Sequence, residues 1–326
     1  MRKCDVVIVG GGPGGSACAW ELKRQGLDTV VLDRAAFPRL KLCAGWVTPQ
    51  VIEDLKLDIN KYPHSFMTFD RIHAHIKGLK LKLNTTQHSI RRYEFDNYLL
   101  GRSISEVHQH HVKKIERKDG CYWVDNKFCA PYIVGAGGTK CPVYRTIFRE
   151  SNPRAKELQT VTFEYEFSYD WEDPDCHLWF FMNGLPGYSW YVPKANGYVN
   201  VGIGGMADKL KRKGGDIKTY WRKFIELLGT NGKVRNVRYE PTGYSYYVRG
   251  NVDKIRVDNA FIVGDSIGLA TRDLCEGIGP AVHSGIEAAR AIVHGHTYDL
   301  QDLIRHSAEN RLLGKVMERL MVGRQR

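Results

Sequence analysis

Short apolar runs that end in glycine or an acid punctuate the two ends of the chain, whereas its middle alternates apolar and polar positions. Val6 to Val9 runs into Gly10, Gly11 and Gly12, a helix-compatible stretch follows, and a second apolar run ends at Asp33. That pattern predicts strand, turn, helix, strand. Phe66 to Leu83 alternates as short antiparallel strands do. A helix is expected from Phe95 to about Ser105, then strands around Val112 to Ile115 and Tyr122 to Val124. Tyr132 to Gly138 reads as a buried strand entering a glycine turn. Thr160 to Tyr247 is aromatic-rich and strand-like, with one amphipathic helix near Ile217 to Leu228. Ala260 to Gly264 is again a strand entering a turn. Helices follow from Gly279 to Val293 and from about Leu300 onward.

The first unit has the spacing of a dinucleotide fingerprint. Gly10 permits the tight turn, Gly12 lets backbone amides approach a pyrophosphate, and Gly15 lets helix and strand pack closely. The unpaired N–H groups at the helix start form an anion site, and Asp33 stands where ribose hydroxyls would be met. In FIVGDSIG, Asp265 follows a buried strand, and Gly277, Ile278 and Gly279 allow backbone N–H groups close to a flat ring. Asp265 could instead simply cap the turn that follows it. Together with the N-terminal fingerprint, it is read as a cofactor residue.

These elements predict an α/β fold: a discontinuous Rossmann-like FAD-binding domain over 1–61, 85–155 and 252–326, with an interleaved antiparallel β-sheet substrate domain over 62–84 and 156–251. The chain has 326 residues, and 43% hydrophobic content suffices for a real core. No signal peptide or membrane-length apolar run is evident, so the expected location is cytoplasmic, either free or peripheral at the inner face of a membrane. The eight cysteines show no CxxC pair or regular spacing, which argues against a zinc site or disulfide framework. His108, His110 and His111 have no carboxylate or cysteine at metal spacing and read as a solvated turn; no metal is expected.

A net charge of +12 suits an acidic partner or an anionic membrane surface. Nucleic acid is not expected, because the basic residues are spread along the chain with no nucleic-acid motif.

Several segments resemble flavoproteins of the geranylgeranyl reductase type, within the p-hydroxybenzoate hydroxylase fold. They are GGGPGG with Asp33, PRLKLCAGWV from Pro38 to Val47, RYEFD from Arg92 to Asp96, GDSIGL…CEGI from Gly264 to Ile278, and PGYSWYVPKANGYVNVGIG from Pro186 to Gly204. The last is similar to the YxWxFPK segment that marks the reductase branch. This resemblance implies FAD held by Gly10, Gly12, Pro13, Gly14 and Gly15 at the pyrophosphate and by Asp33 and Arg34 at the adenosine end. It also implies Cys43 and Ala44 near the flavin, Arg92 at the phosphates, Val112 at the adenine, and Asp265, Gly277 and Ile278 near the ribityl chain and ring. The chain departs from the pattern at Trp46, whose indole would narrow the space beside the flavin, and at Cys275 and Val192.

The implied chemistry is hydride transfer from reduced FAD to a carbon–carbon double bond of an apolar, isoprenoid-type substrate. Tyr188 and Trp190, two apart and therefore on one strand face, are the expected substrate contacts, with Lys194 shortly after them. Phe163, Trp179, Phe180, Phe181 and Tyr191 read mostly as sheet core. Cys43 is either a proton donor beside the flavin or a small buried hydrophobe.

A second dinucleotide fingerprint is absent, so the reductant is expected to be transient NAD(P)H or an acidic carrier such as reduced ferredoxin. Leu312, Leu313, Val316, Met317, Leu320 and Met321 fall on one helical face, with Arg311, Lys315 and Arg319 on another. Such a helix either touches a membrane or covers the core. A flavin monooxygenase or halogenase of the same fold, and a non-catalytic flavin-binding protein, are the alternative functions. Tyr188 stands where the halogenase WxWxIP motif has its first Trp, which argues against halogenation.

Overall fold

The computed structural model describes residues 1–251, 254–301, 303, 319 and 322. The chain divides into two interleaved compact units, one of Met1–Arg39, Tyr93–Ala155 and the segment from Tyr247, the other of Leu40–Arg92 and Lys156–Tyr246. The apolar tail positions Leu312, Leu313, Val316, Met317, Leu320 and Met321 lie outside the described residues. Among the described residues no helix is long and apolar enough to cross a membrane.

The first unit is built on a six-stranded sheet in the order Arg256–Val257, Ala260–Ile262, Tyr132–Gly135, Val6–Val9, Thr29–Asp33, Glu106–Gln109. All its pairings are parallel except the Arg256–Val257 edge. Val6–Val9 and Thr29–Asp33 are buried along their whole length. That explains why they read as continuous apolar runs, because layers cover both faces of a parallel sheet. One face packs on the helices Pro13–Arg24 and Ile278–His294. The other packs on a small four-stranded sheet made from Arg2–Lys3, Phe128–Ala130, Cys121–Val124 and Ile115–Lys118.

The two helices approach until only glycine fits between them. A Cβ on Gly285 would lie 2.2 Å from the Gly14 carbonyl oxygen, and one on Gly14 would lie 2.9 Å from that of Ala281. The strand order reverses at Val6–Val9, whose neighbours on either side follow it in sequence. Ligands of open α/β sheets bind at such a switch point, outside the carboxyl ends of the strands.

The second unit is an eight-stranded sheet in the order Thr242–Tyr247, Gln159–Ser168, Tyr198–Met206, Gly187–Lys194, Cys176–Phe180, Met67–Ile76, Leu79–Ser89, Trp46–Val47. One face carries Phe167, Trp179, Tyr191, Val201 and Ile203 against the helix Ile217–Thr230, which contributes Trp221, Phe224 and Leu228. The helix begins at Asp216, whose carboxylate accepts the Lys218 N–H. The opposite face is different in character and carries the polar chemistry described below.

Boundaries differ from expectation in three places. The helix expected from Phe95 spans Arg92–Arg102. His108, expected in a turn, lies in the edge strand Glu106–Gln109, paired in register with Leu32. The strand expected at Val112 begins only at Ile115. Val112 itself is 3% exposed and packs in the core shared by the two sheets of this unit.

Candidate active site

In the first unit the chain turns sharply after Val9. Gly10 has φ +115°, and a Cβ there would stand 2.3 Å from the Ala136 carbonyl oxygen at the end of the neighbouring strand. Gly15 is equally constrained, because a Cβ would lie 1.9 Å from the Gly10 carbonyl oxygen. Gly12 is not packed in this way. A Cβ there would meet nothing nearer than the Arg39 Nη2, at 3.4 Å.

Gly12 is also the N-cap of the helix Pro13–Arg24, which has no side-chain cap and no acid in its first turn. The site is thus a helix start with open N–H groups and a guanidinium beside it, the donor set an anion requires. Arg39 is held there by Asp96, 3.5 Å from Nη1, and by Asp33, 4.0 Å from Nε.

Asp33 is fixed before any ligand arrives, since Oδ2 accepts the Gly11 N–H at 2.8 Å and Oδ1 accepts the Ala35 N–H at 2.9 Å. Each oxygen keeps a second lone pair for a ribose hydroxyl. Arg34 follows at the exposed strand end.

At the other corner of this unit, Asp265 lies in the single turn Gly264–Ser266 after the strand Ala260–Ile262. Its carboxylate Oδ1 lies 3.6 Å from where a Gly277 Cβ would stand. Arg154 clamps this turn by donating to the Asp265 and Ser266 carbonyls at 3.3 and 2.7 Å. Gly277 is the N-cap of the helix Ile278–His294. Glu276 Oε1 accepts the Gly279 N–H at 2.8 Å, while Oε2 is buried without a hydrogen-bond partner. Burial pushes the Glu276 carboxyl up to about 8, against the pull of the Gly279 and Ile278 N–H groups. Open amides at one helix start and a carboxylate beside a glycine at the other fit a dinucleotide such as FAD.

In the second unit, cross-strand register places Glu164, Gly202, Trp190 and Leu178 in one row across four strands. Trp190 is 4% exposed, and its Nε1 donates to Asn200 Oδ1 at 2.7 Å. Tyr188 lies on the same face, with its ring centre 5.8 Å from that of Trp190 and 5.4 Å from that of Phe180. Glu164 is 3% exposed, and its Oε2 has no hydrogen-bond partner.

Lys194 ends the tryptophan strand and is fully buried. Its Nζ donates to the Ala44 and Ile90 carbonyls, both at 2.6 Å, and lies 3.7 Å from Glu166 Oε2. Burial lowers its pKa, opposed by Glu166. The ammonium is therefore committed to cross-linking the chain, and its role is that of a clasp. It holds the Cys43-Ala44-Gly45 turn together with Asn200, whose Nδ2 donates to the Cys43 carbonyl at 3.3 Å. Gly45 needs its φ of +70°, and a Cβ there would lie 2.0 Å from the Ile90 carbonyl oxygen.

Within the turn, Cys43 Sγ accepts the Gly45 N–H at 3.3 Å, and the thiol is only partly buried. Trp46 is engaged locally: its Nε1 donates to Gln87 Oε1 at 2.8 Å and its ring meets Phe69 edge-on. Arg92, at 7% exposure, stands at the start of the helix Arg92–Arg102.

A family model described as the geranylgeranyl reductase catalytic domain matches residues 159–243, and one described as FAD dependent oxidoreductase matches residues 5–90. The chain is similar to the menaquinone reductase of Mycolicibacterium smegmatis, with 27% identity covering 91% of this chain and 78% of the relative. It is also similar to digeranylgeranylglycerophospholipid reductase 2 of Methanosphaera stadtmanae, with 23% identity covering 90% and 80%. The chain is a geranylgeranyl reductase-like FAD-dependent oxidoreductase. Its fold is that of a geranylgeranyl bacteriochlorophyll reductase-like protein from Thermoplasma acidophilum, with a TM-score of 0.78 over 98% of this chain and 85% of that one at 20% identity.

The matched catalytic segment contains the whole row from Glu164 through Gly202 to Trp190 in this reductase-like chain. Sequence reasoning singled out Tyr188 and Trp190 but passed over Glu164, Asn200, Gly202 and Arg39. A signal for the first was present: in TFEYEF two acids alternate with aromatics, which puts both carboxylates on the face opposite the apolar core.

Proposed function

We propose that this oxidoreductase saturates carbon–carbon double bonds of an apolar, isoprenoid-type substrate, with a prenylated quinone or prenylated glycerolipid as the class. The relatives named for menaquinone and for digeranylgeranylglycerophospholipid support that class. The observation that carries the reading is the polar-edged aromatic face formed by Tyr188, Trp190 and the glycines of the strand Tyr198–Met206, inside the segment that matches the reductase catalytic model. A chain of isoprene units offers flat, apolar surface to such rings, and burying it displaces water from both partners.

In this reading Gly12, Pro13, Gly14 and Gly15 hold the pyrophosphate of FAD at the open helix start, with Arg39 beside it. Asp33 holds the adenosine ribose, with Arg34 next to it, and Val112 backs the adenine side through the core. Asp265, Gly277 and Ile278 hold the ribityl chain and ring, with Cys43, Ala44 and Arg92 as further cofactor neighbours. The flavin supplies a hydride at its N5 position when reduced. The side chains of the sheet face orient the alkene and keep water away. Electrons enter from NAD(P)H in passing or from an acidic carrier attracted by the basic chain.

Incubating the FAD-loaded protein anaerobically with a chemical reductant and either menaquinone or a digeranylgeranylglyceryl phospholipid tests this. After the quinone ring is reoxidised in air, mass spectrometry should find a product heavier by two hydrogens for each double bond reduced in the isoprenoid chain. Turnover that needs oxygen and yields a hydroxylated product would replace the reading with a monooxygenase.

A further inference from the structure

Saturating an alkene needs a proton as well as a hydride, and the sheet face holds a carboxyl placed to give one. Glu164 lies on the strand Gln159–Ser168 directly opposite Gly202, which in turn faces Trp190. A Cβ on Gly202 would stand 2.8 Å from Glu164 Cβ and 2.1 Å from the Trp190 ring, so the two side chains close over one glycine. Glu164 is almost wholly buried, at 3% exposure, yet Oε2 finds no hydrogen-bond partner. An ionised carboxylate left in that state costs several kcal/mol, roughly the scale of a buried unpaired charge. A protonated carboxyl does not, and it carries an O–H with nowhere in the protein to donate.

The neighbouring acid behaves differently. Glu166, two residues along on the same face, is matched by Arg91 Nε at 3.0 Å and by Lys194 at 3.7 Å. The two carboxyls of TFEYEF are thus driven apart by their surroundings, one paired and one unpartnered, which is the pattern that separates acid from base roles in an active site.

We propose that Glu164 is the acid that protonates the alkene. The inference rests on the function proposed above. One alkene carbon receives hydride from the anionic reduced flavin, which becomes oxidised FAD. The π bond opens, and the other carbon takes the Glu164 proton. The carboxylate that remains is reprotonated from water once product leaves, and the electron pair is replaced by NAD(P)H or a reduced carrier.

The groups around Glu164 act in the same direction. Burial drives its carboxyl up to about 7 and Glu166 adds to that, against the opposing pull of Lys41, Lys194 and Arg92. Glu164 therefore holds its proton through the mildly acidic range and gives it up near neutrality, where a general acid works best.

The test uses the full-length FAD-loaded protein in three forms: wild type, Glu164→Gln and Glu164→Asp. The infrared difference between wild type and Glu164→Gln at pH 6, in which the Glu276 carboxyl common to both cancels, should contain the C=O stretch of a buried protonated carboxyl that fades as pH passes 7. In anaerobic single turnover with a prenylated quinone already in its quinol form, Glu164→Gln should slow by about a hundredfold or more and lose the alkaline limb of the wild-type pH profile, while keeping its flavin. Glu164→Asp should recover part of the rate. If the wild type saturates the alkene and Glu164→Gln matches it within about twofold, the donor role is overturned and the function stands. If that carboxyl band is absent at pH 6, the donor role is also overturned. If the wild type saturates no alkene, the function reading falls and the donor role with it.

Discussion

The indole of Trp190 occupies the space that a side chain on Gly202 would need: a Cβ there would sit 2.1 Å from the ring. The glycine is therefore the seat of the tryptophan, and its bareness fixes where the aromatic surface lies on the sheet. Gly202→Ala should push the indole off Asn200 and cost about 1–3 kcal/mol, the usual penalty for overpacking a tight site. Thermal unfolding reads the cost. Near-ultraviolet circular dichroism reads the indole, and an unchanged tryptophan signature would show that Trp190 is not seated on Gly202.

Glycines of the cofactor turn should fail in two different ways. Gly15→Ala has to displace the Gly10 backbone and should unfold or severely destabilise the chain. Gly12→Ala meets only the end of the Arg39 side chain, so the apoprotein should fold with its melting temperature nearly intact. The added methyl would, however, stand over the open helix start where the pyrophosphate is proposed to lie. FAD content after reconstitution should fall sharply for a folded Gly12→Ala protein. Full flavin occupancy in that variant would move the pyrophosphate elsewhere.

Lys194 illustrates what a sequence does and does not disclose. A lysine after Pro193 looks like a charge at the edge of a substrate site, because lysines are seldom buried. Its acceptors, the carbonyls of Ala44 and Ile90, lie over a hundred residues away in sequence and leave no local mark. Lys194→Met keeps the length of the side chain but leaves two carbonyls without their charged donor. It should cost on the order of 3 kcal/mol, measurable by urea unfolding. A loss within experimental error would mean the clasp carries no net stability.

The same limit runs through the fold. The glycine turn, Asp33 and the helices near Ile217 and Gly279 were legible because each depends on a local pattern of caps, periodicity or tight turns. The shared face of Tyr188 and Trp190 was legible because alternation within one strand is a local property. Glu164 acquires its meaning only when Gly202 and Trp190 are laid beside it by strand pairing. His108 looks like part of a turn in the sequence because the strand Glu106–Gln109 is mostly polar and mostly exposed, as befits a sheet edge.

A histidine cluster on the core-facing side of the same sheet should make stability fall in acid. His177 stacks on His73 at 4.5 Å, and its Nδ1 meets His75 Nε2 at 3.1 Å. Its Nε2 meets Asp173 at 3.1 Å and Lys233 at 3.1 Å. Burial first, then the surrounding cations, lowers His177 to about 3 and His75 to about 4. The unfolded chain takes up protons below about 6.5 while the folded one does not, so stability present above that pH is lost as pH falls towards 4 and 3. His177→Phe, which retains a flat ring, should show a shallower decline of melting temperature between pH 6.5 and 4 than the wild type. Parallel slopes would mean that other groups govern the acid limb.

Reduced flavin in this protein should pass its electrons to an isoprenoid double bond. Stopped-flow mixing of the anaerobically reduced FAD-loaded protein with a prenylated quinone already in its quinol form, whose ring can accept no electrons, isolates that step. The oxidised flavin spectrum should return without oxygen, one flavin for each bond saturated. A flavin that stays reduced with this quinol until oxygen is admitted would mean that the double bond is not its electron acceptor.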